Sequence, residues 1–361
     1  QEVTTTTAPK KDYSFWLFKS FDVVGNLKSL YMTAEECGQS DHLSTFSFVR
    51  ILACLWVIVF HAYIRNVEMF KADGVTGPST HPEIDAFMLK GDIAPGYFFF
   101  MTGFLAVYTV ACKAAKDTGS GLIGFFMDIL HRFFKIYPGV VVAVLFYWIV
   151  MPGLINGTLW GRYIGAVGVC DERWQDKLLL RDNWIPQPFD WCAAYTWYID
   201  VDFQTYPLII FIAYLFIQNK YFKYLAYIGT FGLIYWSAKI GLDIVHEGER
   251  GRYEPYWHWY TNPFARAYEI LIGAFFGFQY YEYAKLKLKS NFVAFCEKYS
   301  DLRYILILAG AYLNYYAIFT PWNETGRWSQ HEWLYIKRLY ISVGTGFFLV
   351  PLANDAPSIL K

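Results

Sequence analysis

Eight separate stretches of this chain stay apolar for about 20 residues, the length an α-helix needs to cross the hydrocarbon core of a bilayer. They run over Ser47–Ile64 and approximately over Ile93–Cys112, Tyr137–Ile155, Ala193–Gln218, Tyr221–Leu242, Pro263–Tyr283, Arg303–Pro321 and Trp333–Leu352. Inside lipid a backbone must satisfy its own hydrogen bonds, so runs of this kind predict helices. The expected fold class is therefore all-α: a polytopic integral membrane bundle of about eight transmembrane helices. Composition agrees, because 17% charged residues is well below the roughly 25% of a soluble domain, and 55% of the chain is hydrophobic. The formal charge is zero, so no basic excess suggests nucleic acid.

Two parts are expected along the chain. Residues 1–46 read as a polar tail followed by an interfacial helix: Gln1–Lys11 is Thr-rich, and from Asp12 to Met32 the residues Phe15, Phe18, Phe21 and Val24 recur at helical spacing among Lys19, Asp22 and Lys28. Residues 47–361 read as the membrane domain. Gly121–Lys135 reads as a half-buried helix on the membrane surface, ending in the basic residues His131, Arg132 and Lys135. Lysines crowd the short loops after the second, fourth and sixth spans, which places those loops and both termini on the inner side. The organelle stays open between a secretory or plasma membrane and the mitochondrial inner membrane. The chain does not begin with Met and shows no signal sequence, so either a targeting piece has been removed or the sequence begins part-way through a longer one.

Six cysteines show none of the close pairing of a zinc site, and no metal is expected. Cys170 and Cys192 fall in one large outward loop, Asn156–Cys192. They can form a disulfide in an oxidising compartment and otherwise stay reduced. Asn156-Gly-Thr158 and Asn323-Glu-Thr325 are glycosylation sequons in outward loops, of a kind that also arises by chance.

Ser47–Ile64 differs from an ordinary span in carrying Arg50 and His61. Eleven residues apart, at about 100° each, the two side chains come within about 20° of one another, roughly 16 Å apart along the axis. Ionisable groups on one stripe of a membrane helix are candidates for function. An arginine reaching for the interface and a histidine bonded to a neighbouring helix are the competing structural reading.

Several separated motifs then agree in order. Arg50 and His61 in FSFVRILACLWVIVFHA, FFFMTGFL at Phe98–Leu105 and HRFFKIYP at His131–Pro138 resemble the core helices of the membrane acyltransferase 3 family. Thr102 stands where the family usually has Ser, and Lys135 where a second arginine is usual. Cys170, Trp174, Asn183, Cys192 and TWYIDVDFQ at Thr196–Gln204 resemble the eukaryotic, nose-resistant-to-fluoxetine-like branch. So does Asn262–Phe278, with Pro263, Arg266, Tyr268, Gly273 and Gly277. Family members continue with further spans, carrying a Ser-Tyr and a Tyr-Leu-x-His signature, that are not found before Lys361. Other subunits of a membrane complex are candidate partners to supply them, alongside membrane lipids.

The resemblance implies transfer of an acyl group from acyl-CoA, as co-substrate and with no covalently bound cofactor, to a hydroxyl of a lipid, sugar or other acceptor. A hydroxyl needs a base near neutral pH, and His61 is the candidate. Arg50 is a candidate either to hold the donor's phosphates or to orient His61 through another group, and Arg132 and Lys135 are candidates for further phosphate contacts, ordinary positive-inside anchoring being their alternative. Asp202 is the candidate to orient His61, with Gln204 as a supporting polar group. Arg266 is either a carboxylate partner or a snorkelling end residue. Gly273 and Gly277 suit close helix packing. Two readings from other classes compete: a catalytically inactive structural subunit of a larger assembly, such as a mitochondrial respiratory complex, and a lipid or small-molecule transporter.

Overall fold

The computed structural model describes Val24 and residues 43–72, 87–88, 90–114, 121–154, 160–185, 191–251, 255–287, 292–321 and 329–353. The expected interfacial helix at 12–32 and both sequons lie outside the described residues, apart from Val24. Among the described residues the structure is helical without strands. The helices are α1 (Ser44–Ala72), α2 (Pro95–Ala114), α3 (Leu122–Leu154), α4 (Trp160–Leu178), α5 (Trp197–Gln218), α6 (Lys220–Glu249), α7 (Pro255–Tyr260), α8 (Pro263–Ala284), α9 (Phe292–Lys298), α10 (Ser300–Phe319) and α11 (Gln330–Ala353).

Seven of these are long and apolar enough to cross a membrane: α1, α2, α3, α5, α6, α10 and α11. The eighth expected span is α8. It is 22 residues long and rich in tyrosine, and it carries Arg266 and Glu269, so its composition does not class it with the seven. Its place in the fold resolves this, because α8 packs against α2, α5, α6 and α11 and is buried along nearly its whole length. Polar side chains are tolerated where a helix faces protein rather than lipid.

The protein is an integral, multi-pass membrane bundle with an inner and an outer group of helices. Between 56% and 67% of the apolar windows of α2, α5 and α11 is buried, against 11% to 22% in α1, α3, α6 and α10. The centre is the α2–α8 crossing, where a Cβ on Gly103 would lie 1.9 Å from the Ile270 carbonyl oxygen and one on Gly273 2.0 Å from that of Phe100. Only glycine admits backbones this close.

Two expectations are corrected. Gly121–Lys135 is not a separate surface helix: it is the first half of α3, 33 residues long, about 50 Å at 1.5 Å per residue. Pro138 sits inside that helix without ending it, and a single π-turn at Phe146–Val150 adjoins Pro152, whose missing N–H cannot bond the turn before it. The presumed loop before Cys192 holds the 19-residue helix α4. Its glycines and scattered charges hid it from a search for apolar runs.

Candidate functional site

The N-termini of α2, α5, α8 and α11 gather at one end of the bundle with the C-termini of α6 and α10. Asp92 lies just before α2 and takes Arg338 Nη2 at 2.9 Å and Lys337 Nζ at 3.7 Å. The two basic residues that interrupt the last apolar run are thus buried partners of a carboxylate some 250 positions away in sequence, by the separation of 246 at Arg338. Lys90 donates to the carbonyl of Ile318 beside them.

Arg266 is fully buried. Its guanidinium lies 5.1 Å from the ring of Phe99, 5.2 Å from Tyr260 and 5.6 Å from Trp197, a cage of cation–π contacts. Its Nε is 3.1 Å from Glu269 Oε1, one helical turn on. Arg266 is therefore a carboxylate partner in the core, not a snorkelling end residue.

A second polar group joins three helices. Asp202 of α5 accepts from Thr102 Oγ1 of α2 at 2.9 Å and from Arg132 Nη2 of α3 at 2.5 Å. The guanidinium of Arg132 also lies 5.0 Å over the Tyr206 ring. Tyr198 sits beside Thr102, within electrostatic reach of Asp202, Arg132 and Arg50. Tyr198, Asp202 and Tyr206 are spaced i, i+4, i+8, so one face of α5 presents all three. That spacing was available in the sequence and marks Tyr198 and Tyr206 as members of the group. Arg132 lies ten residues into α3, where a partly buried cation needs a counter-charge, and Asp202 supplies it.

Asp202 does not reach His61. Both of its oxygens serve Thr102 and Arg132, and the imidazole is oriented from within its own helix: His61 Nδ1 is 2.8 Å from the carbonyl oxygen of Val57. A carbonyl only accepts, so Nδ1 is the nitrogen that donates in this bond, and Nε2 is the one left to exchange a proton with a ligand. Arg50 and His61 share a stripe of α1, as their spacing predicts, and both are exposed. Lys135 is exposed as well, three residues beyond Arg132. Neither Arg50 nor Lys135 has a hydrogen bond to another described residue.

The residues typical of the eukaryotic branch fasten α4 to α5. Cys170 and Cys192 are joined by a disulfide with Cα atoms 4.5 Å apart. Gln204 Nε2 donates to the carbonyl of Leu180 at 2.6 Å and to Asn183 Oδ1 at 2.9 Å, and Asn183 Nδ2 donates to the Thr261 carbonyl at 3.0 Å. Leu180 has φ 52°, in the left-handed region, and ends α4 in a Schellman turn: Arg181 N–H donates to the Asp176 carbonyl and Leu180 N–H to that of Lys177, both at 3.0 Å. Lys177 completes the clamp: it lies 2.6 Å from Asp200 and 3.8 Å from Asp182, all three buried. Burial pushes the Asp182 carboxyl up to about 7, against the pull of Lys177. Sequence analysis did not single out Lys177 or Asp182. Among the described residues no cluster of His, Cys, Asp and Glu is arranged to hold a metal ion.

No solved structure matches the chain. Nose resistant to fluoxetine protein 6 of Caenorhabditis elegans is 25% identical over 206 residues, which is 51% of this chain and 24% of that relative, so the match spans about a quarter of the relative's length. The profile of the acyltransferase domain family matches residues 44–358, from the start of α1 past the end of α11. The chain belongs to this family of membrane acyltransferase domains, acyltransferase 3.

Proposed function

We propose that this protein transfers an acyl group from acyl-CoA to a hydroxyl of a lipid, sugar or other acceptor, with His61 as general base. The observation that carries the reading is the bond from His61 Nδ1 to the Val57 carbonyl, which fixes the tautomer that a base needs. Nε2 takes the proton of the acceptor hydroxyl as its oxygen attacks the thioester carbonyl. The C–S bond then breaks, and the departing thiolate recovers the proton from the imidazolium. Arg132 is engaged by Asp202, so binding of the donor's phosphates falls to Arg50 and Lys135, the cations of the candidate set with no such partner among the described residues.

The test is turnover of labelled acyl-CoA by purified protein. His61→Gln is expected to lose about 10²- to 10⁴-fold in rate while remaining folded. Equal turnover in wild type and variant would remove His61 from the mechanism.

A second reading, an acyltransferase fold serving as a structural subunit of a membrane complex, gains support from the same pair. Arg132 is already neutralised by Asp202, and Arg50 and His61 face outward from the bundle. Absence of turnover in wild type, with stoichiometric co-purification of other subunits, would favour it.

A further inference from the structure

A cavity of about 520 Å³ lies between α1, α2, α10 and α11, on a different side of α1 from Arg50 and His61. Its walls include Ala53, Trp56, Tyr97, Asn314, Thr345 and Phe348. Most hydrogens of its polar walls are engaged inside the protein, one of the two on Asn314 Nδ2 being the exception. Trp56 Nε1 donates to the Phe87 carbonyl at 3.1 Å, Tyr97 Oη to Asn314 Oδ1 at 2.9 Å, Asn314 Nδ2 to the Gly310 carbonyl at 2.8 Å, and Thr345 Oγ1 to the Ile341 carbonyl at 2.6 Å. A polar ligand would find a single amide hydrogen there, and water would find too few partners to stay. What the cavity offers is apolar surface.

Its rim points to the source of an apolar occupant. Leu52, Leu55 and Val59 of α1 line the cavity and are also exposed on the outside of the bundle, as is Ala311 of α10. These helices are apolar enough to cross a membrane, so the medium at this rim is lipid hydrocarbon. We infer that the cavity is a lateral lipid site that seats one hydrocarbon tail of a membrane phospholipid between α1 and α10. The tail supplies α1 with a wall that protein does not, because α1 otherwise packs on α2, α11 and the short 3₁₀ turn at Gly91–Ile93. Empty space along a helix forfeits dispersion contacts that a flexible chain restores. The inference does not depend on acyl transfer.

The test is native mass spectrometry of protein purified from membranes of defined phosphatidylcholine composition and carried through detergent exchange. Wild type is expected to retain one phospholipid. Ala311→Trp, which fills the cavity from its exposed rim, is expected to lower that retention several-fold. Ile305→Trp, exposed on the same helix and not among the lining residues, should leave it unchanged. The same pair of variants read by thermal unfolding controls for folding. Wild type that retains no lipid, or equal retention in the two folded variants, would overturn the inference. An acyl-CoA or free fatty acid retained in place of phospholipid would overturn it as well, in favour of a donor pocket.

Discussion

α1 and α8 are both expected to cross the membrane, and both carry an arginine and a second ionisable side chain on one face. On α8, Arg266 and Glu269 are wholly enclosed, caged by three aromatic rings and surrounded by four helices. On α1, Arg50 and His61 face outward, and only 17% of the helix's apolar window is buried. The charges of α8 are buried against each other and against the rings of Phe99, Tyr260 and Trp197, at a cost in desolvation. Among the described residues neither charge of α1 is hydrogen-bonded to another helix, which leaves them available to a substrate or a partner. An intramembrane charge is a sign of function only after the tertiary structure has shown whether it is already engaged.

The sharpest way to break this contrast is to remove a charge from the inner helix. Glu269→Ala strands a buried guanidinium and is expected to cost about 3–5 kcal/mol, read as loss of the folded species in thermal unfolding and size exclusion. Next comes Gly273→Val, whose Cβ would meet the Phe100 carbonyl oxygen at 2.0 Å; backbone cannot yield there, and about 1–3 kcal/mol or more is expected by the same assay. Asp202→Asn weakens the bond to Arg132 by about 1.5–3 kcal/mol. If Arg132 served the donor instead of the fold, that variant would keep its stability and change its KM for acyl-CoA.

The clamp between α4 and α5 gives a smaller, pH-dependent effect. Burial pushes the Asp182 carboxyl up from an ordinary 3.8 to about 7, so the fold favours its protonated form. The contribution is fully present below the unfolded value and is lost as pH rises through about 7, because the unfolded chain then binds fewer protons. Wild type should therefore lose thermal stability across that window, and Asp182→Asn should flatten the slope. A slope unchanged in the variant would assign the effect to other groups. The smallest stability change belongs to His61→Gln, within about 0.5 kcal/mol as for an exposed position. A large loss of folded protein in that variant would show that α1 is as integral as α8.

Much of this was legible beforehand. Apolar length located the spans, and the helical period put Arg50 and His61 on one stripe. Glu269 as partner of Arg266 could have been read from the i, i+3 spacing within α8. The pairing of Asp92 with Arg338 could not, since nothing local in either segment indicates the other. Lys177 was hidden for a similar reason: α4 has no continuous apolar run, and the lysine's carboxylate partner, Asp200, is in the next helix. The partner of Arg132 was not legible, because a basic cluster before an apolar run reads as an anchor at the surface; α3 runs on through Lys135 and Pro138 and pairs Arg132 with Asp202 of α5.

The sequence by itself determined that this is a helical membrane protein, because apolar runs of about 20 residues have the length of a spanning helix and not that of a barrel strand. It also determined which residues share a helix face, because that follows from the period alone. Only the tertiary structure decided which charges are engaged. Counter-charges are recruited from helices remote in sequence, and their Coulombic benefit depends on distances of a few ångströms that no pattern along one chain encodes.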